Sequence, residues 1–300
     1  MLRLGLCCIF VKEEIHFRTT TATYLLKHPQ EFRKEYLSEI ILDNIANLKK
    51  AIQFCFENKI GCFRITSRFF PLMTHPEAGY ELSDLPAFSK IEKELSDIKQ
   101  FAKAKGVRLT LHPDQFVVLN SKNKEVVVNS IKELQYHASL ADYVGADVIN
   151  IHGGGVYGDK RAALKRLEET ICQLKPEVRK LLTLENDDRS FTPYDLLPLC
   201  EKLKIPLVYD VHHHRCLKDS LSIQEATEKA LKTWNREPLF HLSSPKEGWN
   251  QKNIKNHSDY IDIEDFPKSW LHIPELTVEI EAKLKELAVF DFQKKIMNYL

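Results

Sequence analysis

Six successive apolar runs in this 300-residue chain stop at a residue able to hold a metal ion. Leu109-Thr110-Leu111 runs into His112, and the run ending at Ile151 runs into His152. The run ending at Leu184 stops at Glu185, and Leu207-Val208-Tyr209 stops at Asp210, with His213 three residues beyond. Leu239-Phe240 leads into His241, and the last run, from Leu276 to Ile280, carries Glu279 and is followed by Glu281. Burying an imidazole or a carboxylate at a strand end is costly unless something pairs with it. A divalent cation is the general answer, because carboxylate oxygen and imidazole nitrogen are its ordinary ligands. None of the six positions is Lys or Arg. Four to six such ligands exceed what one zinc needs and suit a cluster of two or three ions, of the kind that activates water and clamps both oxygens in a phosphoryl displacement. A nitrogen and oxygen set without thiolate accepts Mn²⁺, Zn²⁺ or another divalent metal, and spacing does not choose among them. Glu185, central among the runs, is the candidate bridging ligand.

The elements that must position these groups alternate along the chain. Strands are predicted at Arg3–Ile9, Gly61–Thr66, Val107–Leu111, Asp147–Ile151, Leu181–Leu184, Leu207–Tyr209, Leu239–Leu242 and Leu276–Ile280. Helical periodicity separates them at Glu35–Asn58, Phe88–Ala104, Val126–Val144, Lys160–Leu174, Pro193–Leu203 and Ile223–Thr233, and a closing helix spans Ala282–Tyr299. Parallel strands need such crossovers, and strands covered on both faces read as continuous apolar runs. The expected fold is an α/β (β/α)₈ TIM barrel forming a single domain over residues 1–300; a doubly wound open sheet is the alternative. The polar segment from His241 to Leu276, where one more helix is expected, offers only Phe266 and Trp270 as anchors.

In a barrel the C-terminal strand ends converge on one mouth, so the six polar positions would meet there. Two loops beside them are candidate substrate contacts. Gln115 and Phe116 follow His112-Pro113-Asp114 and could wedge into a base stack; alternatively Phe116 packs under the loop with Val117 and Val118. Gly153-Gly154-Gly155 precedes Lys160 and Arg161, a backbone and charge arrangement able to hold phosphate, or simply a turn. Arg64, Arg68, Arg189, Arg215, Lys246 and Lys283 are further cations near strand ends. His16, His28, His137 and His272 lack partners by spacing and are expected in loops or on helix faces.

Bulk composition excludes several classes. Net charge is +1, so a nucleic-acid partner has to be held by a local patch. The seven cysteines are scattered and form no pair of CxxC motifs, and several, lying inside apolar runs, read as small core residues in a reducing compartment. The apolar stretch at the N-terminus is too short to span a bilayer, and no apolar run of about 18 residues occurs. A cytoplasmic location without membrane contact is expected.

His75-Pro76, His112-Pro113 with Gln115, His152-Gly153-Gly154, Leu184-Glu185-Asn186-Asp187, Asp210-Val211-His212-His213, His241 and Glu281-Ala282-Lys283 together resemble the UV damage endonuclease family, in order and over nearly the whole chain. The resemblance implies a TIM barrel related to endonuclease IV and xylose isomerase-like barrels. It implies a manganese cluster and a nick in double-stranded DNA immediately 5′ of a UV photoproduct, leaving a 3′-hydroxyl. Carried over by position, the metal ligands are His112, His152, Glu185, Asp210, His213, His241, His257 and Glu281. His75, Glu185 and His241 are assigned to the catalytic site, Gln115 and Phe116 to lesion probing, and Lys160, Arg161, Arg189 and Lys246 to phosphate contact. The expected partner is lesion-bearing duplex DNA, met by a monomer. Glu281 is preferred to Glu279 on the following Ala-Lys. The chain departs from the family in carrying Leu239 where a carboxylated lysine often serves as ligand, Phe116 where tyrosine is frequent, and Leu6 and Phe10 where tyrosine and asparagine lie near the lesion. A sugar isomerase or epimerase on the same barrel is the rival reading, and a metal-binding protein without turnover a third.

Overall fold

In a computed structural model, residues 1–297 are described. Eight parallel strands close into a barrel in chain order: β1 (Leu2–Cys7), β2 (Cys62–Ile65), β3 (Arg108–Leu111), β4 (Ile149–His152), β5 (Leu182–Glu185), β6 (Leu207–Asp210), β7 (Leu239–Leu242) and β8 (Leu276–Ile280). Closure comes from β8 pairing with β1 from Leu2↔Leu276 to Leu6↔Ile280. The open-sheet alternative is thereby excluded. The helices are α1 (Ala22–Leu25), α2 (Gln30–Glu57), α3 (Phe88–Lys105), α4 (Lys124–Val144), α5 (Lys160–Gln173), α6 (Pro176–Leu181), α7 (Pro193–Leu203), α8 (Val211–Cys216), α9 (Ile223–Lys232) and α10 (Lys285–Met297).

Local chemistry sets most of these boundaries. Gly106 and Gly145 end α3 and α4 with φ of +65° and +78°, the left-handed cap that glycine adopts without a Cβ penalty. Thr192 caps α7 in a reciprocal box with Asp195, and Pro193 takes the first helical position, as expected from the sequence. Several expectations need correction. The first strand stops at Cys7 rather than Ile9, because Cys8 turns the backbone at φ +67°. The long second helix begins at Gln30, five residues before the periodic pattern is clear, and the closing helix begins at Lys285 rather than Ala282. The end expected for that helix, at Tyr299, lies outside the described residues. Between β7 and β8 there is no α-helix among the described residues: two 3₁₀ turns, Ile263–Asp265 and Lys268–His272, and a lone antiparallel bridge between Pro245 and His257 fill the gap. Phe266 and Trp270 do anchor that segment, both fully buried.

Side-chain alternation divides the barrel interior into layers. At the N-terminal end, Arg3 Nε meets Glu237 Oε1 at 2.8 Å, and Arg108 grips Asp147 through two bonds of 3.0 and 2.9 Å. Above these ions, Val148, Val208 and Leu239 form a small apolar cluster separate from the main core. Two residues further along the same strands lie Asn150, Asp210 and His241, all buried and polar. The main core lies outside the strands, against the helices. No described helix is long and apolar enough to cross a membrane.

Candidate metal centre

Glu185 stands at the middle of the barrel mouth, fully buried at the end of β5. His112 Nε2 lies 3.1 Å from its Oε2, and His152 Nε2 lies 4.0 Å from the same atom. His213 Nδ1 and His241 Nδ1 each lie 3.2 Å from Oε1. His213 Nδ1 is also 3.4 Å from Asp210 Oδ2, and His241 Nδ1 is 3.4 Å from Glu281 Oε1. Three overlapping groups able to hold an ion result: His112–His152–Glu185, Glu185–Asp210–His213 and Asp210–His241–Glu281. Glu185 and Asp210 are each shared by two groups.

The donor chemistry fits divalent cations. Glu185 Oε1, Asp210 Oδ2 and His241 Nδ1 are buried without a hydrogen-bond partner, although buried polar atoms ordinarily have one. These are the atoms that face one another, and nitrogen with carboxylate oxygen is the set that Mn²⁺ or Zn²⁺ takes. Several neighbours aim the ligands. Asn150 Nδ2 donates to Glu185 Oε2 at 2.5 Å, while Thr183 Oγ1 donates to Asn150 Oδ1 at 3.0 Å. His112 Nδ1 lies 3.0 Å from the Pro113 carbonyl, which leaves Nε2 turned toward Glu185.

Electrostatics follow from this crowding. Burial pushes Glu185 up, yet His241, His152, His112 and His213 outweigh it and hold its carboxyl well below the usual range. Burial pulls His213 down, but Asp210 and Glu185 lift it to about 10. His241 is likewise driven down by burial and held well above the ordinary imidazole value by Glu185 and Glu281. A metal ion competes with these protons for the same lone pairs.

The histidine run after Asp210 separates into different roles. Asp210 caps α8, its Oδ1 accepting the His213 N–H at 2.7 Å. Consecutive helical residues point about 100° apart, so the three rings diverge. Only His213 faces Glu185. His212 turns toward Cys216 Sγ, 3.6 Å from its Nε2, and toward the Trp249 ring. His214 lies between the Tyr209 hydroxyl, 2.8 Å from Nδ1, and Asp219 Oδ1, 3.1 Å from Nε2.

Other expected site residues divide as clearly. His257 reaches the rim of the cluster, its Nδ1 3.8 Å from Glu281 Oε2, outside the three groups. His75 is not among them either: its Nδ1 accepts the N–H groups of Glu77 and Ala78 and closes a turn after β2. Gln115 is exposed, and the Phe116 ring is 74% exposed rather than packed under its loop. A cleft of about 380 Å³ beside the ligands is lined by His112, Gln115, His152, Arg189 and His213. Lys160 is committed to Asp195 Oδ2 at 2.6 Å, and Arg161 lies in a groove between α5 and α7, away from that cleft. Lys246 is exposed on the β7–β8 segment. Leu239 sits in the apolar layer and offers no ligand. Leu6 is fully buried, and Phe10 packs edge-on to Phe54 and stacks on Phe63, so neither presents itself to a substrate.

Two residues at the centre are missed by strand-end reading. Asn150 lies within an apolar run, where a single amide is the signal. Arg64, grouped above with the cations near strand ends, is buried: its Nη2 donates to Glu281 Oε1 at 2.6 Å and lies 3.1 Å from His241 Nε2.

Fold and site together define a (β/α)₈ barrel whose C-terminal mouth is a ring of imidazoles and carboxylates. A sequence profile described as UV-endonuclease UvdE matches residues 2–300, and the chain belongs to that family. It is 31% identical over 292 residues to a UV DNA damage endonuclease of Bacillus thuringiensis subsp. konkukian (strain 97-27), covering 94% of this chain and 89% of that protein. The crystal structure of SacUVDE superposes with a TM-score of 0.87 at 30% identity over 100% of both chains. Endonuclease IV from Thermus thermophilus, at 14% identity, TM-score 0.63 and 99% and 98% coverage, shares the fold alone.

Proposed function

We propose that this chain is a metal-dependent DNA-repair endonuclease that nicks duplex DNA immediately 5′ of UV photoproducts, with other lesions as further substrates, and leaves a 3′-hydroxyl. The observation that carries the reading is the set of buried, partnerless atoms Glu185 Oε1, Asp210 Oδ2 and His241 Nδ1, facing one another in a family of UV endonucleases. His112, His152, Glu185, Asp210, His213, His241, His257 and Glu281 would hold two or three ions, Mn²⁺ by preference. Such ions supply a lowered water pKa and stabilisation of charge on phosphate oxygens during in-line attack.

The remaining work falls to the chain's own residues. Asn150, bonded to Glu185 Oε2, and Asn186, bonded to the Asp210 backbone N–H and carbonyl, keep the two ligand-bearing positions aimed, so that little reorganisation is needed when substrate arrives. Gln115 and Phe116 enter the duplex opposite the lesion, where an exposed ring gains by stacking on bases. Arg189, exposed beside the cleft, and Lys246 take backbone phosphates. Lys160 can do so only by releasing Asp195, and Arg161 serves flanking DNA rather than the cut phosphate. The protein works as a cytoplasmic monomer. The exposed Phe116 ring beside an exposed Gln115 suits stacking on the bases of a polymeric substrate, the use for which this reading needs it.

A nicking assay tests the reading. UV-irradiated duplex should be cut in the presence of Mn²⁺, undamaged duplex should not, and chelator should stop the reaction. Equal nicking of both duplexes, or none with Mn²⁺ supplied, would sink it.

A further inference from the structure

Glu279 is the one buried acidic strand residue at the mouth that belongs to none of the three candidate ion groups among the described residues. We infer that Glu279 is a positioning residue for the metal centre: it fixes the His241 tautomer that offers Nδ1 to an ion. The inference rests on the metal-centre reading above.

Its setting is built for a carboxylate. Glu279 Oε2 receives Arg64 Nε at 2.6 Å and a second, shorter contact from Arg64 Nη2, and it stands 3.1 Å from His241 Nε2. Oε1 accepts the Thr110 hydroxyl, and Cys62 Sγ lies 3.9 Å away. Glu279 is paired in register with Gly5 of β1, and a Cβ at Gly5 would fall 2.9 Å from Glu279 Cγ. The bare backbone of Gly5 therefore makes room for the glutamate stem.

An imidazole that gives one nitrogen to a metal carries its proton on the other, and the partner of that N–H fixes the ring. At His241 the partnerless Nδ1 faces Glu185 and Glu281, and Nε2 has two rival neighbours. Glu279 Oε2 calls for a proton on Nε2. Arg64 Nη2, also 3.1 Å away, is a donor and calls for a lone pair there. With Glu279 ionised and gripping Arg64, the carboxylate prevails and the Nδ1 lone pair is free. Without it, Arg64 claims the Nε2 lone pair, the proton moves to Nδ1, and the ligand atom is blocked.

The test is calorimetric titration of Mn²⁺ into wild type, Glu279→Met and Glu279→Gln, with two-bond ¹H–¹⁵N spectra of the Zn²⁺-loaded proteins. The expected result is a loss of about 10–100-fold in Mn²⁺ affinity for Glu279→Met, with smaller loss for Glu279→Gln, which keeps an acceptor oxygen. Wild-type His241 should be protonated at Nε2 and coordinated through Nδ1. Wild-type affinity in Glu279→Met overturns the inference while leaving the metal centre intact. Should that variant not fold, the wild-type spectrum alone decides, and coordination through Nε2 overturns the inference. A wild-type chain that takes up no divalent metal overturns the metal-centre reading and this inference with it.

Discussion

Asn186 and Asp210 hold each other across the ends of β5 and β6. Asn186 Nδ2 donates to the Asp210 carbonyl at 2.9 Å, and its Oδ1 accepts the Asp210 N–H at 3.0 Å. Both residues are fully buried, so neither bond has water as a substitute. The pair ties together the two strand ends that carry Glu185 and Asp210. Asn186→Ala strands two backbone groups and should cost about 2–4 kcal/mol. Urea unfolding measures that cost, and Mn²⁺ titration should show weaker uptake. A variant with wild-type metal affinity would mean that the strand ends do not need the clasp.

The exposed probes should separate binding of DNA from binding of metal. Phe116→Ala removes a ring that packs on little, so thermal stability should stay within about 1 °C of wild type, in line with surface changes near ±0.5 kcal/mol. Loss of one base–aromatic stack is worth about 1–3 kcal/mol, which predicts roughly 5- to 150-fold weaker binding of lesion-bearing duplex by fluorescence anisotropy. Gln115→Ala should act in the same direction, with metal content by mass spectrometry unchanged for both. Parallel loss of metal and DNA binding would show the loop to be structural.

The histidine run can be dissected one residue at a time. His213→Ala should lower metal content and abolish incision, because of the three rings in the run its ring is the one that faces Glu185. His214→Phe should keep metal but lower the melting temperature by several degrees, since it removes the link between Tyr209 and Asp219 and leaves the buried Tyr209 hydroxyl without its partner, while Asp219 Oδ1 keeps the Leu221 N–H. Metal loss in His214→Phe equal to that in His213→Ala would refute the division of roles.

Much of the mouth is legible in the sequence for a simple reason. A buried strand advertises itself as an apolar run, and a ligand at its end interrupts that run. His112, His152, Glu185, Asp210 and His241 are all found this way. Telling His213 from its two neighbours requires the phase of α8, which begins only because Asp210 caps it, and six residues are too few to show periodicity. Asn150 hides inside a strand, since a side chain on the inner face of a barrel lies in the same apolar sequence context as one on the outer face. Arg64 reads only as one more cation near a strand end because the charge that neutralises it, Glu279, is 215 positions away. The β7–β8 segment shows its anchors, Phe266 and Trp270, but 3₁₀ turns leave no periodic pattern to read.

Acid should weaken the fold through a histidine outside the three candidate ion groups. His137, buried in α4 with Nδ1 2.8 Å from the Glu133 carbonyl and Nε2 unpartnered, is pulled down by burial to about 4. The unfolded chain binds a proton there near pH 6.5, the folded chain only near pH 4. Stability from this group is therefore present above pH 6.5 and falls as pH drops toward 4, by on the order of 3 kcal/mol. Urea midpoints measured from pH 7 to pH 4.5 should decline in wild type and decline less in His137→Asn. Parallel curves would assign the acid sensitivity elsewhere.

The two ends of the barrel are fastened by different means. At the N-terminal end, Arg3 with Glu237 and Arg108 with Asp147 lace four separate strand entries together using charges the polypeptide carries itself. At the other end, acidic and imidazole groups from β3 to the residue after β8 crowd together with the buried Arg64 among them. One rim is sewn by charges of the chain; the other carries its own clasps at Asn186 and Arg64 and, on the metal-centre reading, is drawn tighter by ions from solution. On that reading, removing metal should loosen one lip of the barrel and leave its base laced.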